Sequence, residues 1–341
     1  YYLVIDEMTS LKEYKNLGGQ ENTNEWIKFF ESHEYTYISN TYSTFNDTNT
    51  TFGSIFNLNP ILTENSNISD NQYTELTFPT ALSKDQFNIK QYPKLNNILQ
   101  KINYKFKWIG NYKYNCKIYN ENLCIEYNDQ KSNNNFFSKN INFYLLKIFL
   151  ENTPIQELYK IYHKRFSQNI KINKPKKILD DDAIEKFILK VKKFHNNNFR
   201  YFYFLHDHLF KEPYPFDSNC NRIDYDNVSN DIKINISQYI KNYDCIIKKI
   251  NKFILFLDEN DPEAIVIIQS DHGFRAPYKN HKNLKRYEIF NLIKAGIKCN
   301  DKISNEIDNV NSVRLALTCA TSVSPKLIEK KTHYTNRRKV K

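Results

Sequence analysis

The stretch Ala264–Gly273, AIVIIQSDHG, decides the fold, because an unbroken apolar run ends there abruptly in polar residues. A short run that is apolar at every position predicts a strand buried on both faces, as in a parallel sheet. Ligands of open α/β sheets bind beyond the carboxyl ends of the strands. Asp271 and His272 stand at such an end. On this peptide alone, a cation site and a solvated turn are both open.

A second strand end carries similar chemistry at the start of the chain. The apolar run Tyr1–Ile5 leads directly into Asp6 and Glu7. Adjacent carboxylates at a strand end repel each other unless a cation or a basic group lies between them. An ordinary helix start is the alternative, because acidic residues favour first turns.

A third segment is hydroxyl-rich. Residues Asn46–Phe56, NDTNTTFGSIF, follow the strand-like Tyr35–Ser39 and predict the N-terminus of a helix. Free N–H groups at that end attract anions such as phosphate or sulfate. A threonine hydroxyl there could be ionised by a bound metal and attack a phosphorus or sulfur centre. Ordinary N-capping is the alternative.

In this order, the three segments resemble the alkaline phosphatase superfamily. The nearer likeness is to its sulfatase-like, membrane-associated bacterial branch, which includes phosphoethanolamine and phosphoglycerol transferases. Thr48, followed three residues later by Thr51, matches the family's nucleophile at a helix start. Ser270–Gly273, the sequence S-D-H-G, is the most specific of the three motifs.

The resemblance implies an α/β fold with a mixed, mostly parallel central sheet and helices on both faces. The alternation of strand and helix patterns supports the same architecture. It also implies a single catalytic domain over residues 1–330, with a poorly matched insertion at about 60–135 and a basic tail at 331–341. A further strand is expected at Tyr104–Gly110. The expected helices are Asn22–His33, Lys139–Asn152, Asp181–His195, Asp231–Leu257 and Asp308–Ala320.

The resemblance further implies one divalent cation. Its ligands would be Asp6, Glu7 or both, together with Asp271, His272 and the Thr48 oxygen. This mixed nitrogen and oxygen set suits Zn²⁺ or Mn²⁺ better than a thiolate-selective metal, with Ca²⁺ and Mg²⁺ as alternatives.

Four more residues are candidates for the reaction. His206 and His208 alternate on a strand-like run and could face the same side. One of them, His206 in the first place, is a candidate proton donor to the leaving group, and the other is structural. Lys211 takes a position where relatives often carry a histidine, which suggests neutralisation of an anionic ester oxygen in place of a second metal. Arg275 and His281 are candidates for substrate contact, and a solvated surface side chain is the alternative for each.

The reaction class follows from the nucleophile. Sulfatases proper need a cysteine or serine that is oxidised to formylglycine, and Thr48 cannot form this group. We therefore predict a phosphoryl-ester transferase or hydrolase that acts on envelope lipid or glycan headgroups. The alternatives are a sulfatase-like hydrolase of sulfate or phosphate monoesters and a degenerate relative that only binds anions. Lys211, and Gly53 in place of a family proline, keep the last alternative open.

Charge and cysteine content suggest partners and compartment. The net charge of +11 favours an anionic partner. An anionic phospho- or sulfo-ester substrate or an anionic membrane surface accounts for it, whereas nucleic acid is not expected because no recognised motif is present. The six cysteines lack C-x-x-C spacing and permit disulfides, first Cys116–Cys124 and second Cys220–Cys245. Disulfides would place the domain outside the cytoplasm, in the periplasm or at the cell surface, and reduced thiols are the alternative. In relatives the membrane spans precede the first strand, so we expect the same here.

Overall fold

The computed structural model describes eleven parts of the chain. They are residues 1–20, 23–60, 94–110, 124–125, 183–195, 198–207, 210, 214–223, 232–274, 286–321 and 327–328. All of them lie in one compact unit formed by residues 1–127 and 182–341. The expected helix at Lys139–Asn152, the pair Cys116–Cys124, the basic tail and most of the insertion lie outside the described residues. The single domain over residues 1–330 stays a prediction.

The described strands form one seven-stranded sheet. They are β1 Tyr2–Ile5, β2 Thr36–Tyr37, β3 Tyr104–Gly110, β4 Cys124–Ile125, β5 Arg200–Asp207, β6 Val266–Gln269 and β7 Asn291–Lys294. Their order is β2-β7-β6-β1-β5-β3-β4. Strands β6, β1, β5, β3 and β4 run parallel, whereas β7 is antiparallel to both β6 and β2. The prediction of a mixed, mostly parallel sheet is confirmed.

Seven α-helices and one 3₁₀ helix accompany the sheet in the described residues. They are α1 Leu11–Asn16, α2 Asn24–Ser32, α3 Thr48–Asn57, α4 Lys94–Lys101, α5 Ala183–Phe194, α6 Ile232–Asn260, α7 Asn309–Thr321 and the 3₁₀ helix Ile297–Lys302. The four expected helices that fall on described residues are confirmed as α2, α5, α6 and α7. None of the described helices is long and apolar enough to cross a membrane.

Helices cover both faces of the sheet, and β1 explains why. Leu3 and Ile5 point to one face and join the core built with α1, α2, α5 and α6. Tyr2 and Val4 point to the other face and join the core built with α3, α4 and α7. All four side chains are fully buried. A strand buried on both faces is apolar at every position, as the sequence pattern predicted.

The register brings three strand ends to the same edge of the sheet. Strand β1 lies between β5 and β6 and is parallel to both, with Ile5 opposite Asp207 and Val4 opposite Gln269. The residues that follow these strands therefore meet at the carboxyl edge, where α/β proteins bind their ligands.

Two disulfides join described residues. Cys220–Cys245 ties the segment after β5 to α6, which confirms that predicted pair. Cys299–Cys319 ties the 3₁₀ helix to α7 and was not among the predicted pairs. The sequence could not choose this pair because six cysteines allow many pairings.

The Cys220–Cys245 bond spans a sequence separation of 25 residues, so it restricts the unfolded chain. We expect the double variant Cys220→Ala/Cys245→Ala to lose about 3 kcal/mol of unfolding free energy, from the entropy of closing a loop of this length. Urea denaturation under non-reducing conditions measures the loss. An unchanged midpoint would contradict the stabilising role.

Candidate active site

At the carboxyl edge of the sheet, three of the described ionisable side chains form a candidate cation site. Asp6 follows β1, and Asp271 and His272 follow β6. Each offers one ligand atom, and the three atoms all lie within 4.8 Å of one another. All three residues are fully buried. The structure thus brings together residues that are about 265 positions apart in the sequence.

The imidazole of His272 faces both carboxylates. Its Nε2 lies 3.4 Å from Asp6 Oδ1 and 3.5 Å from Asp271 Oδ2. Its Nδ1 lies 2.9 Å from the carbonyl oxygen of Gly273. Because a carbonyl can only accept a hydrogen bond, Nδ1 carries a proton, and in the neutral ring the lone pair of Nε2 points at the carboxylates. Metal-binding histidines are held in this way.

The carboxylate of Asp271 is fixed through one of its two oxygens. Oδ1 accepts hydrogen bonds from the backbone amides of Glu7, at 3.2 Å, and of His272, at 2.9 Å. Oδ2 is buried and accepts no hydrogen bond from any described residue. A buried anionic oxygen without a donor is costly. A cation beside Oδ2 would offset that cost.

A divalent cation fits this group on charge and on donor type. Two buried carboxylates in such proximity repel each other, and a cation between them would reduce that repulsion. One nitrogen and two oxygen donors suit Zn²⁺ or Mn²⁺. Three protein ligands leave a coordination position for a substrate or a nucleophile, as in catalytic zinc sites.

Glu7 contributes through its backbone, and its carboxylate lies outside the group of three ligand atoms. Its φ of 62° is left-handed, a conformation that costs a residue with a side chain about 1 kcal/mol or more. The Tyr239 hydroxyl on α6 holds it there by donating to the Glu7 carbonyl at 2.9 Å and accepting from the Thr9 amide at 3.0 Å. Burial raises the pKa of Tyr239 well above its usual value, so the hydroxyl keeps its proton.

Thr48 is the first residue of α3 and is buried. Asp47 caps the helix, since its side chain accepts from the Thr50 amide at 3.0 Å. The first turn of α3 is tied to β6 through Ser43, whose hydroxyl donates to the Asp271 carbonyl and lies 3.3 Å from Thr51 Oγ1. The Ser43 side chain therefore links the predicted helix start to the Asp271 backbone.

His206, at the end of β5, is also fully buried at this edge. Its Nε2 lies 4.0 Å from Asp6 Oδ2. Its ring packs edge-on against Phe52 of α3, with 4.6 Å between ring centroids. The other predicted substrate contacts, Lys211, Arg275 and His281, lie outside the described residues.

Three residues of the site were not singled out from the sequence. Asp207 is buried, and its carbonyl accepts from the Asp6 amide at 2.8 Å. Asn309 accepts from the Thr44 hydroxyl at 2.8 Å and lies 3.4 Å from the Ser43 hydroxyl. Asp207 could have been found, because it ends a strand beside His206. Ser43 and Asn309 could not, because nothing in their local patterns distinguishes them from other loop and helix-start residues.

The fold is similar to those of solved bacterial envelope proteins. The C-terminal periplasmic domain of EptC from Escherichia coli, in complex with Zn, has a TM-score of 0.54 and 11% identity over 97% of this chain and 88% of its own. The C-terminal periplasmic domain of phosphoethanolamine transferase EptC from Campylobacter jejuni has a TM-score of 0.52 and 11% identity over 97% and 92%. The lipoteichoic acid synthase LtaP from Listeria monocytogenes has a TM-score of 0.51 and 12% identity over 93% and 70%.

No protein-family model and no curated protein matches the chain. At 11–12% identity, these structures define the class of fold. The chain has the fold that these periplasmic EptC domains share with the lipoteichoic acid synthase. The resemblance inferred from the three sequence motifs is confirmed at this level.

Metal binding can be tested by stability. We expect Zn²⁺ to raise the melting temperature of the protein, because a ligand that binds only the folded state stabilises it. Asp271→Asn is expected to abolish most of this rise, while the metal-free melting temperature stays equal or increases because the repulsion between the carboxylates is gone. Losing a residue that only hydrogen-bonds to a metal ligand typically lowers metal affinity by about 10–100-fold. Because Asp271 is itself a proposed ligand, the Zn²⁺ affinity of Asp271→Asn is expected to fall by more than this.

The matched control is Asp244→Asn, which changes another largely buried carboxylate, one that accepts from the Tyr14 hydroxyl. This variant is expected to keep the rise in melting temperature. An Asp271→Asn variant that binds Zn²⁺ as tightly as the unchanged protein would rule out this ligand set.

Proposed function

We propose that this chain is a metal-dependent phosphoryl-ester transferase or hydrolase that uses Thr48 as its nucleophile. The single observation that carries the proposal is the buried group of Asp6, Asp271 and His272 at the sheet edge, whose Asp271 backbone is linked through Ser43 to the first turn of α3. This arrangement combines a cation site, a hydroxyl at a helix N-terminus and a nearby imidazole, which together provide what phosphoryl transfer needs.

The chemistry follows from the residue types. A divalent cation bound here would act as a Lewis acid and lower the pKa of a hydroxyl that contacts it. The ionised Thr48 oxygen attacks the phosphorus in line, and the bond between phosphorus and the leaving alcohol breaks. His206 gives its proton to that alcohol. Water or an acceptor alcohol then gives a proton back to His206 and displaces the Thr48 oxygen from phosphorus, and that oxygen takes a proton from solvent in place of the one it lost on ionisation.

The start of α3 has a second role in this proposal. The positive end of a helix dipole and its free N–H groups favour an anionic ligand. Asp47 caps the helix at the Thr50 amide, and the amides before Thr50 in the same turn are proposed to donate to a phosphoryl oxygen. Lys211, Arg275 and His281 are proposed to contact further substrate oxygens.

The substrate class is proposed from the neighbours and from charge. The Campylobacter neighbour is a phosphoethanolamine transferase domain and the Listeria neighbour is a lipoteichoic acid synthase, so envelope lipid or glycan headgroups are the proposed substrates here. The net charge of +11 suits such anionic esters. Two disulfides and the periplasmic origin of the EptC domains support an extracytoplasmic location.

The nucleophile can be tested directly. We expect Thr48→Ala to lower turnover of a chromogenic phosphodiester by at least about 1,000-fold, as the loss of a nucleophile does in other enzymes. Thr48→Ser is expected to retain activity, since it keeps a hydroxyl. The control is Thr318→Ala on α7, where the hydroxyl only donates to the Arg314 carbonyl. Full activity in Thr48→Ala would assign the nucleophile elsewhere.

The same assay separates reaction classes. Turnover of a phosphodiester, a phosphomonoester and a sulfate ester is compared with Zn²⁺ and with Mn²⁺. We expect a preference for phosphoryl esters, because a threonine cannot form formylglycine. Mass spectrometry of quenched reactions is expected to find one phosphoryl group on Thr48. Preferred cleavage of the sulfate ester would contradict the proposal.

The role of His206 predicts a dependence on the leaving group. His206→Gln is expected to slow esters of poorly acidic alkyl alcohols much more than esters of p-nitrophenol, which needs no proton to leave. The measurement is the ratio of kcat/KM values for the two substrates in each protein. An equal loss for both would show that His206 positions Asp6 instead.

A further inference from the structure

We propose that the outer surface of α5 and α6 binds an anionic lipid bilayer. This inference goes beyond the catalytic function and does not depend on it. We call the surface the α5–α6 patch and define it by three exposed apolar residues and three lysines. They are Leu189, Phe194, Leu255, Lys192, Lys193 and Lys252.

The apolar residues of the patch are unusually exposed. Leu189 is 64% exposed, Leu255 is 50% exposed and Phe194 is 37% exposed. The described residues include five large apolar side chains of this kind, and three of them lie on these two neighbouring helices. Singly scattered apolar residues need no explanation, whereas a cluster of them indicates an interaction site.

Contacts between the helices show that the patch is continuous. Lys252 Nζ on α6 lies 3.5 Å from Glu185 Oε1 on α5. Lys192 Nζ on α5 lies 5.3 Å from the centroid of the Phe256 ring on α6. Leu189 follows Glu185 by four residues and Leu255 follows Lys252 by three, so each leucine lies on the same helix face as one member of this ion pair. The two leucines therefore lie on either side of the same seam between the helices.

The charge of the surface is basic. Helix α5, AIEKFILKVKKF, contains four lysines and one glutamate, a balance of +3. Lys193 Nζ lies 5.5 Å from the centroid of the Phe194 ring, so an ammonium group and an exposed ring are neighbours on the surface. Lysines beside apolar side chains can extend their ammonium groups to lipid phosphates while the apolar groups enter the interface. Anionic lipids attract such clusters.

A bilayer explains this composition better than other partners do. Lysine is depleted from the buried cores of protein–protein interfaces. Single-stranded nucleic acid binds by stacking on aromatic rings and has no use for exposed leucines. The opposite sides of both helices are buried in the core against the sheet. Binding through the patch therefore leaves the carboxyl edge, with the candidate active site, outside the contact.

Sedimentation with lipid vesicles tests the proposal. We expect the protein to bind phosphatidylcholine vesicles that contain phosphatidylserine and not pure phosphatidylcholine vesicles, with binding that weakens as salt increases. The variant Lys192→Glu/Lys193→Glu is expected to lower the partition coefficient by at least about tenfold, since each basic residue near an anionic surface contributes roughly fivefold. Lys12→Glu/Lys15→Glu on α1 makes the same charge change at exposed lysines and is expected to change binding little.

A second pair of variants tests the apolar contribution. Leu189→Gln/Leu255→Gln is expected to lower binding several-fold, whereas Leu327→Gln, at another exposed leucine, is expected to leave it unchanged. All of these positions are exposed, and melting temperatures check that the variants fold. No preference for the anionic vesicles would overturn the proposal. Binding that needs the lysines but not the leucines would also overturn it, because that result indicates a general polyanion site.

Discussion

The rest of the structure depends on two buried carboxylates, Asp6 and Asp271, that the sheet forces into proximity. Strands β1 and β6 are parallel neighbours, so the residues that follow them meet at one edge and away from water. Burying two like charges is unfavourable unless each finds compensating groups. Backbone amides satisfy one oxygen of Asp271, and the imidazole of His272 faces both carboxylates. One nitrogen and two oxygen ligand atoms so close together form a candidate cation site at this edge.

Much of the surrounding structure keeps these groups in place. Helix α6 reaches across one face of the sheet, and its Tyr239 and Tyr243 hydroxyls bind the backbone of the segment after β1. Helix α3 approaches from the other face and is tied to the Asp271 backbone through Ser43. Asn309, at the start of α7, supports the Ser43 segment in turn. Helices from both cores therefore hold the same site. A change in the packing of either core is expected to shift the carboxylates.

The sequence predicted the parts of the fold that have strong local patterns. Val266, Ile267 and Ile268 are all apolar because that strand is covered on both faces. Helices α2, α5, α6 and α7 were also among the expected helices. Strand β7, NLIK, and helix α4, KLNNILQK, were not predicted. Strand β7 has two apolar residues between polar ends. Helix α4 has three apolar residues in an Asn-rich region. Neither therefore shows a strong local pattern.

The sequence by itself determined which residue types end the strands and begin α3, because short apolar runs, acidic pairs and hydroxyl caps are local features. It left open whether Asp6, Glu7 or both would join the site. Only the tertiary structure placed Asp6 in the group and turned Glu7 into a left-handed position that lends its amide. The Cys299–Cys319 bond and the seam between α5 and α6 were likewise settled by packing. The physical reason is that direction, burial and pairing depend on segments far apart in the chain, whereas local patterns record only which side chains are available.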